Sequence, residues 1–375
     1  AERFAVGWLA IVSVVALYAL AGKVLPGITD QTAQLARLRG PLEYWNALGL
    51  LCVLAAPVAI RLAVERTLAV RRRLVALEAL LLLLVVIGLT YSRGAVAALL
   101  VAVVVLSAFG TGRLRGLVAL AAAVLAAAGP LAFAFTRDAL TLNGAPLADR
   151  IADGRLLGLL VLAAGAALWF GGLALIRADA RMRWSESSGR RARLLLLGGA
   201  ALLIGVGAVG LSRSPEGLTG RLDRAAQDFT QSTADDQYDP ARLVSATSGN
   251  RWSWWEEAAG AWSDKPAQGW GAGTFALLHL KYRHDRLATT QAHSMPMQLL
   301  AELGVVGLVL AYGAVLALLA AAIARTRRLG DARERDLAIA LLAASAAWLV
   351  HGLFDWDLQI PAVTAPVLVM LGLLG

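Results

Sequence analysis

The sequence predicts an all-α polytopic membrane protein with about ten transmembrane helices and one long extracytoplasmic loop that contains amphipathic helices. Three observations carry this prediction. Of 375 residues, 58% are hydrophobic and only 16% are charged, where a soluble domain has about 45–50% apolar and about 25% charged residues. Mean hydropathy is +0.65. The apolar residues also run continuously over stretches of about 20, the length a helix needs to cross a bilayer, and do not alternate as membrane β-barrel strands do. Together these exclude an ordinary soluble enzyme, a disordered chain and a collagen-like repeat.

The expected spans start near Phe4, Tyr44, Leu74, Ala95, Leu117, Leu156, Leu194, Pro296, Asp336 and Leu358. The last is short and contains Pro361 and Pro366. The first has no cleavage signature behind it and reads as a span, not a signal peptide. Charge orients the set. The net charge is +9, with 32 arginines and three lysines, Lys23, Lys265 and Lys281. In a soluble protein this would suggest nucleic acid, but here the arginines sit in short loops between apolar runs. Segments 61–73, 110–116, 177–193 and 325–335 hold 18 arginines in 48 residues. The positive-inside rule places those loops and both termini in the cytoplasm. Cys52 is the only cysteine and lies in an apolar run, so no intrachain disulfide or cysteine metal cluster can form.

The chain then divides into 1–211 with seven spans, a loop at 212–295, and 296–375 with three spans. That loop has 84 residues, with ten acidic residues, three of the four histidines and five tryptophans. Ordered loops of such length are usually functional. Its start, 215–230, reads as an amphipathic helix with Leu218, Leu222, Ala225, Ala226 and Phe229 on one side. The stretch 230–247 is polar and irregular. A second helix is expected after Asn250, its N-cap, with Trp252, Trp255 and Trp262 at helical spacing. Tryptophan concentrates at membrane interfaces, so this helix should lie on the outer leaflet, unless it is only an aromatic belt anchoring a lid.

The candidate chemistry lies on the outer side. In QAHSMPMQLLAELG, Ser294 suits an N-cap and Pro296 a first helical turn. His293 would then stand at the positive end of a membrane helix, where imidazolium is disfavoured and a neutral ring can take a proton from a hydroxyl. The alternative is a histidine that only hydrogen-bonds at a helix start. His279 and His284 lie among Lys281, Arg283, Asp285 and Arg286 and read as a solvated face; His351 reads as packing. Arg93, between two apolar runs, is costly unless it is paired or serves a site, and arginine suits phosphate oxygens; snorkelling to headgroups is the alternative. With Arg251, Arg37 and Arg39, followed by Asn46, it could bind an anion such as a diphosphate. PAQGWGAGTF, with glycines at 269, 271 and 273, follows no strand and reads as a tight turn that lets backbone approach another segment. Asp355-Trp356-Asp357 resembles a carboxylate pair for a metal, although two carboxylates more often cap a helix or pair with arginine. Asn46, Gln298, Glu302 and Asp355 complete the candidate set as supporting residues. No P-loop, zinc motif or nucleophile elbow is present, and no metal ligand set or cofactor is called for.

These pieces in order, RLRGPLEYWNAL (37–48), YSRGA (91–95), NRWSWWEEA (250–258), KPAQGWGAGTF (265–275), AHSMPMQLLAELGVVG (292–307) and HGLFDWDLQIP (351–361), resemble the O-antigen ligase and O-antigen polymerase superfamily of bacterial membrane glycosyltransferases. The resemblance implies a GT-C-like enzyme of cell-surface polysaccharide (lipopolysaccharide) biosynthesis. It would move a glycan from an undecaprenyl diphosphate carrier to an acceptor hydroxyl on glycan, lipid or protein, metal-independently and with inversion. It places the general base on His293 and the donor diphosphate on Arg93 and Arg251, with Arg37 beside them. Ligase, polymerase and O-linked protein oligosaccharyltransferase remain alternatives within it. A transporter for an anion or a lipid-linked saccharide is the reading from another class. It calls for inverted repeats, broken helices and deep ionisable groups. The sequence has no clear repeat, and Glu78 and Glu302 are its few deep charges.

Overall fold

A computed structural model describes residues 2–27, 36–181, 217–231, 240, 243, 247–283 and 287–375. The span expected from Leu194, the arginines of 182–193, His284 and most of 230–247 lie outside the described residues. Among the described residues the ordered elements are helical. In chain order they are α1 (Glu2–Val24), α2 (Trp45–Val64), α3 (Val70–Leu89), α4 (Arg93–Phe109), α5 (Arg113–Phe135), a single turn α6 (Asp138–Thr141) and α7 (Leu147–Arg181). Then come α8 (Gly217–Thr230), α9 (Arg251–Asp264), α10 (Phe275–Tyr282), α11 (Met295–Arg328), α12 (Ala332–Gly352) and α13 (Pro361–Leu374), with a 3-10 turn at Asp357–Gln359. Helices therefore occupy nine of the ten expected apolar runs.

Five of them, α1, α2, α5, α7 and α11, are long and apolar enough to cross a membrane. The charged first turns of α3 and α12 keep those two out of that set, and α4 and α13 are apolar but have 17 and 14 residues. Side chains such as Leu125 at 75%, Leu162 at 72% and Phe170 at 71% exposed face outward. Water would penalise each by about 1.5–3 kcal/mol; a bilayer does not. The chain is a multi-pass membrane protein.

The core forms around α2, whose residues are nearly all buried and which packs on α1, α3, α4, α5, α12 and α13. Alanines at 95, 98 and 102 of α4 and at 338, 340, 343, 344 and 347 of α12 are buried and let those helices approach closely. A second, smaller cluster (Ala258, Ala261, Phe275, Leu278, Ala292 and Ala301) joins α9 and α10 to the first turns of α11. The amphipathic helix expected at 215–230 is present as α8, docked through Phe229 against Trp252 and Trp255 at 6.0 Å each.

One feature was not anticipated: α11 is broken. Gly304 has φ 65° and ψ −170°, which interrupts the helix ten residues from its start. The loop 265–274 occupies the break. Val305 N donates to Pro266 O at 2.8 Å, Trp270 N to Ala301 O at 3.2 Å and Gly271 N to Glu302 O at 2.7 Å. Gly269, at φ 64°, lies so close that a Cβ would come within 2.4 Å of the Glu302 backbone. The glycine-rich turn thus does what its composition suggests, and its partner is the helix that carries the QLLAELG motif.

Candidate functional site

The starts of α2, α4, α11 and α13 and the ends of α3 and α12 meet at one end of the bundle. His293 is the residue before the cap position of α11 and has φ 52°, a left-handed backbone that costs a non-glycine residue about 1 kcal/mol or more. The side chain of Ser294 makes no capping hydrogen bond, and neither does Asn250 ahead of α9, although both helices begin where expected. His293 is held by its neighbours instead. Its ring stacks on Trp254 with centroids 4.8 Å apart and meets Trp356 edge-on at 6.2 Å. Trp255 Nε1 donates to its carbonyl at 3.4 Å.

Asp355, 1% exposed, is the hub. Its Oδ1 accepts from Tyr44 OH at 2.6 Å and from Trp356 N at 2.9 Å, and its Oδ2 accepts from Asn46 Nδ2 at 2.6 Å and from Arg251 Nη2 at 3.2 Å. His293 Nδ1 lies 3.3 Å from Tyr44 OH and 3.4 Å from Asp355 Oδ1. A phenol has one proton to give. Tyr44 donates it to Asp355, so toward His293 it can only accept. The network therefore assigns the ring proton to Nδ1 and leaves the Nε2 lone pair as the basic site.

The electrostatics agree. Burial holds His293 below the ordinary imidazole pKa, helped by the charge of Arg251 and opposed by Asp355. This favours a neutral ring, with desolvation as the larger cause and the positive charge of Arg251 as a smaller one. Burial likewise keeps the Tyr44 hydroxyl protonated, reinforced by the Asp355 carboxylate. Burial alone would raise the pKa of Asp355, but its bond to His293 and the charge of Arg251 outweigh this and hold it well below the usual carboxylate range.

Arg93 opens α4 directly after Ser92, whose hydroxyl accepts from Ala95 N at 3.2 Å. Its guanidinium donates to Thr247 O just ahead of α9, which ties the long loop to the bundle. Gly94 is needed beside it, since a Cβ there would lie 3.0 Å from His351 Nε2. His351 in turn has Nδ1 2.7 Å from Asp357 Oδ2, and both residues are buried.

Of the expected residues, His293, Asp355, Arg251 and Asn46 converge in one network, and Arg93 stands at the same end. Arg37 belongs with them differently from expectation. It is 3% exposed and turns inward, donating to Thr90 O at 2.8 Å and to Tyr91 O and Asn46 Oδ1 at 3.4 Å, with Trp45 beneath it at 4.2 Å. It braces the turn that carries Arg93. Arg39 pairs with Glu43 at 3.2 Å. Gln298 and Glu302 lie below the site. Gln298 Oε1 accepts from Ala292 N at 3.2 Å, and Glu302 accepts from Gly273 N at 2.9 Å and Phe275 N at 3.1 Å. They fix His293 and the glycine turn relative to α11. His279 requires correction: it is 1% exposed, not solvated, with Nδ1 2.7 Å from Glu257 Oε2 between α9 and α10. The two carboxylates of Asp355-Trp356-Asp357 take separate partners, Asp355 the Tyr44–Asn46–Arg251 set and Asp357 His351.

Sequence reasoning missed Tyr44 and Trp254. The only available signal was a phenol two residues before Asn46 at the head of an apolar run, and a tryptophan off the stripe traced by its neighbours. Residues 151–312 match the family model described as O-antigen ligase. That stretch includes Arg251 and His293 and leaves Tyr44, Arg93 and Asp355 outside. No curated protein matches the chain.

Proposed function

We propose that this chain, a member of the O-antigen ligase and polymerase superfamily, transfers a glycan from an undecaprenyl diphosphate carrier to an acceptor hydroxyl at the extracytoplasmic face. The observation that carries the reading is the His293–Tyr44–Asp355 network, a neutral oriented base with Arg251 bonded to its hub and Arg93 at the same end.

In this mechanism His293 Nε2 takes the acceptor proton as the acceptor oxygen attacks the anomeric carbon. The bond from that carbon to the carrier's phosphate oxygen breaks on the opposite face, so the configuration inverts. The electron pair leaves with the diphosphate, and Arg93 and Arg251 stabilise its growing negative charge. Arg251 is bonded to Asp355 at 3.2 Å with its side chain still 18% exposed. The imidazolium formed on His293 is offset by the Asp355 carboxylate. Arg37 and Asn46 hold Arg93 and Asp355 in place. The same reading puts the arginine-rich loops in the cytoplasm and adds α3, α4, α12 and α13 to the membrane spans.

The test is turnover of an undecaprenyl diphosphate-linked glycan by purified protein, with and without EDTA, scored by release of the free lipid diphosphate. His293→Ala should cost about 10²–10⁴-fold with the fold retained. Undiminished turnover in that variant sinks the base assignment. The product's anchor, whether carrier, lipid or protein, chooses among polymerase, ligase and protein glycosylation.

A further inference from the structure

One long groove among the described residues is far from this chemistry in sequence and character. It has a volume of about 1690 Å³ and runs between α1, α3 and α7. Its lining on α1 reaches from Glu2 to Leu25, which at 1.5 Å per residue is roughly 35 Å, against a hydrocarbon thickness of roughly 30 Å. The walls are mostly apolar, with leucines on all three helices and small residues at Ala79 on α3 and Gly158, Gly165 and Ala166 on α7.

Arg71 and Arg72 stand at one mouth, both exposed, with no ion-pair partner among the described residues, and Arg155 of α7 is a further exposed cation in the lining. Glu2, the acidic residue at the same mouth, is already paired with Arg333. About two turns further in, Glu78 has a buried Oε1 without a hydrogen-bond partner among the described residues. The groove therefore presents two adjacent positive charges at this opening, a largely apolar wall below them with the Glu78 carboxyl in it, and Arg155 further along.

Three occupants differ in how they meet this pattern. A second copy packed about a twofold axis would bring like arginines toward one another. The chain's own 182–193 adds four arginines, at 183, 190, 191 and 193, against one glutamate, Glu186. An anionic lipid matches the main parts: phosphate for Arg71 and Arg72 and acyl chains for the apolar wall.

We propose that the groove between α1, α3 and α7 binds an anionic glycerophospholipid, its phosphate at Arg71 and Arg72 and its acyl chains along the three helices. The lipid acts as a structural wedge that completes the packing of α1 and α7 on α3. This is independent of the glycosyltransferase reading.

Native mass spectrometry of the protein released from nanodiscs tests it, with phosphatidylglycerol compared against phosphatidylcholine. Wild type should retain one phosphatidylglycerol at activation energies that strip phosphatidylcholine. Arg71→Gln with Arg72→Gln should weaken phosphatidylglycerol about 30-fold, taking roughly fivefold per basic residue near a lipid surface, and bring it level with phosphatidylcholine. Ala79→Phe, which fills the wall, should remove both lipids. The wild-type comparison needs no variant, so misfolding of either variant leaves the proposal testable. Equal retention of the two lipids by wild type overturns it. So does a lipid-free dimer, which would assign the groove to a second copy, or a lipid-free monomer, which would assign it to the chain itself.

Discussion

Replacing Asp355 by Asn changes one atom and inverts the polarity of half the hub. The oxygen that faces Tyr44 and Trp356 N can stay. The amide nitrogen then takes the place of Oδ2, where it meets Asn46 Nδ2 and Arg251 Nη2, formerly bonded at 2.6 and 3.2 Å. Two charge-assisted bonds become donor–donor contacts. At about 1.5–3 kcal/mol per bond to a charged group, and with Arg251 losing a buried counter-charge, the cost is about 3–5 kcal/mol of stability. Thermal unfolding in detergent should show a midpoint several degrees lower. The effect on rate follows from charge: the carboxylate that offsets the imidazolium formed on His293 is gone, and turnover should fall at least about 100-fold. The pH profile gives the discriminating sign. A base with a lowered pKa works above that pKa and fails as pH falls through it. Asp355 is what raises the pKa of His293 against burial and Arg251. Its loss should move the acid limb of kcat/KM to lower pH. A limb that stays in place or moves up would refute the network as drawn.

Trp254→Ala should move the same limb the other way. Removing the ring stacked on His293 admits water and relieves the desolvation that ranks first in lowering its pKa; a downward shift would show that burial is not the cause. Gly304→Ala should cost about 2–4 kcal/mol, from a strained positive φ and a Cβ 2.2 Å from Ala267 O. Unchanged thermal stability in that variant would mean that α11 is not broken there. Arg93→Ala and Arg251→Ala should each weaken binding of the lipid diphosphate measured without acceptor, and equal affinity in both would remove them from the phosphate site.

How much of this could be read beforehand depends on range along the chain. Apolar runs and arginine loops are local, and they located the helices. His293, Arg93 and Arg251 stood out because polar residues at such positions are costly without a purpose. Tyr44 did not, because its meaning lies in partners 249 and 311 residues away, His293 and Asp355. Arg37 carried the right charge, but its burial under the α3–α4 turn depends on tertiary packing. His279 sat in a charged tract whose composition suggested solvent, whereas one face of α10 lies against α9 and hides it. The break at Gly304 was audible only as a glycine in AELG, since nothing local says that another loop will supply the missing hydrogen bonds.

That break divides α11 mechanically. Above it, the ten residues that follow His293 and Ser294 are fastened to the loop layer through Pro266, Ala267 and Trp270; below it lies the longer apolar segment. Helices adjust to membranes of different thickness by tilting, and a continuous α11 would pass that tilt straight to His293. With a joint at Gly304 the lower segment can lean while the upper one keeps its register with Tyr44 and Asp355. The site is suspended from the extramembrane layer, so its geometry should be insensitive to acyl-chain length and sensitive to anything that loosens the loop 265–274.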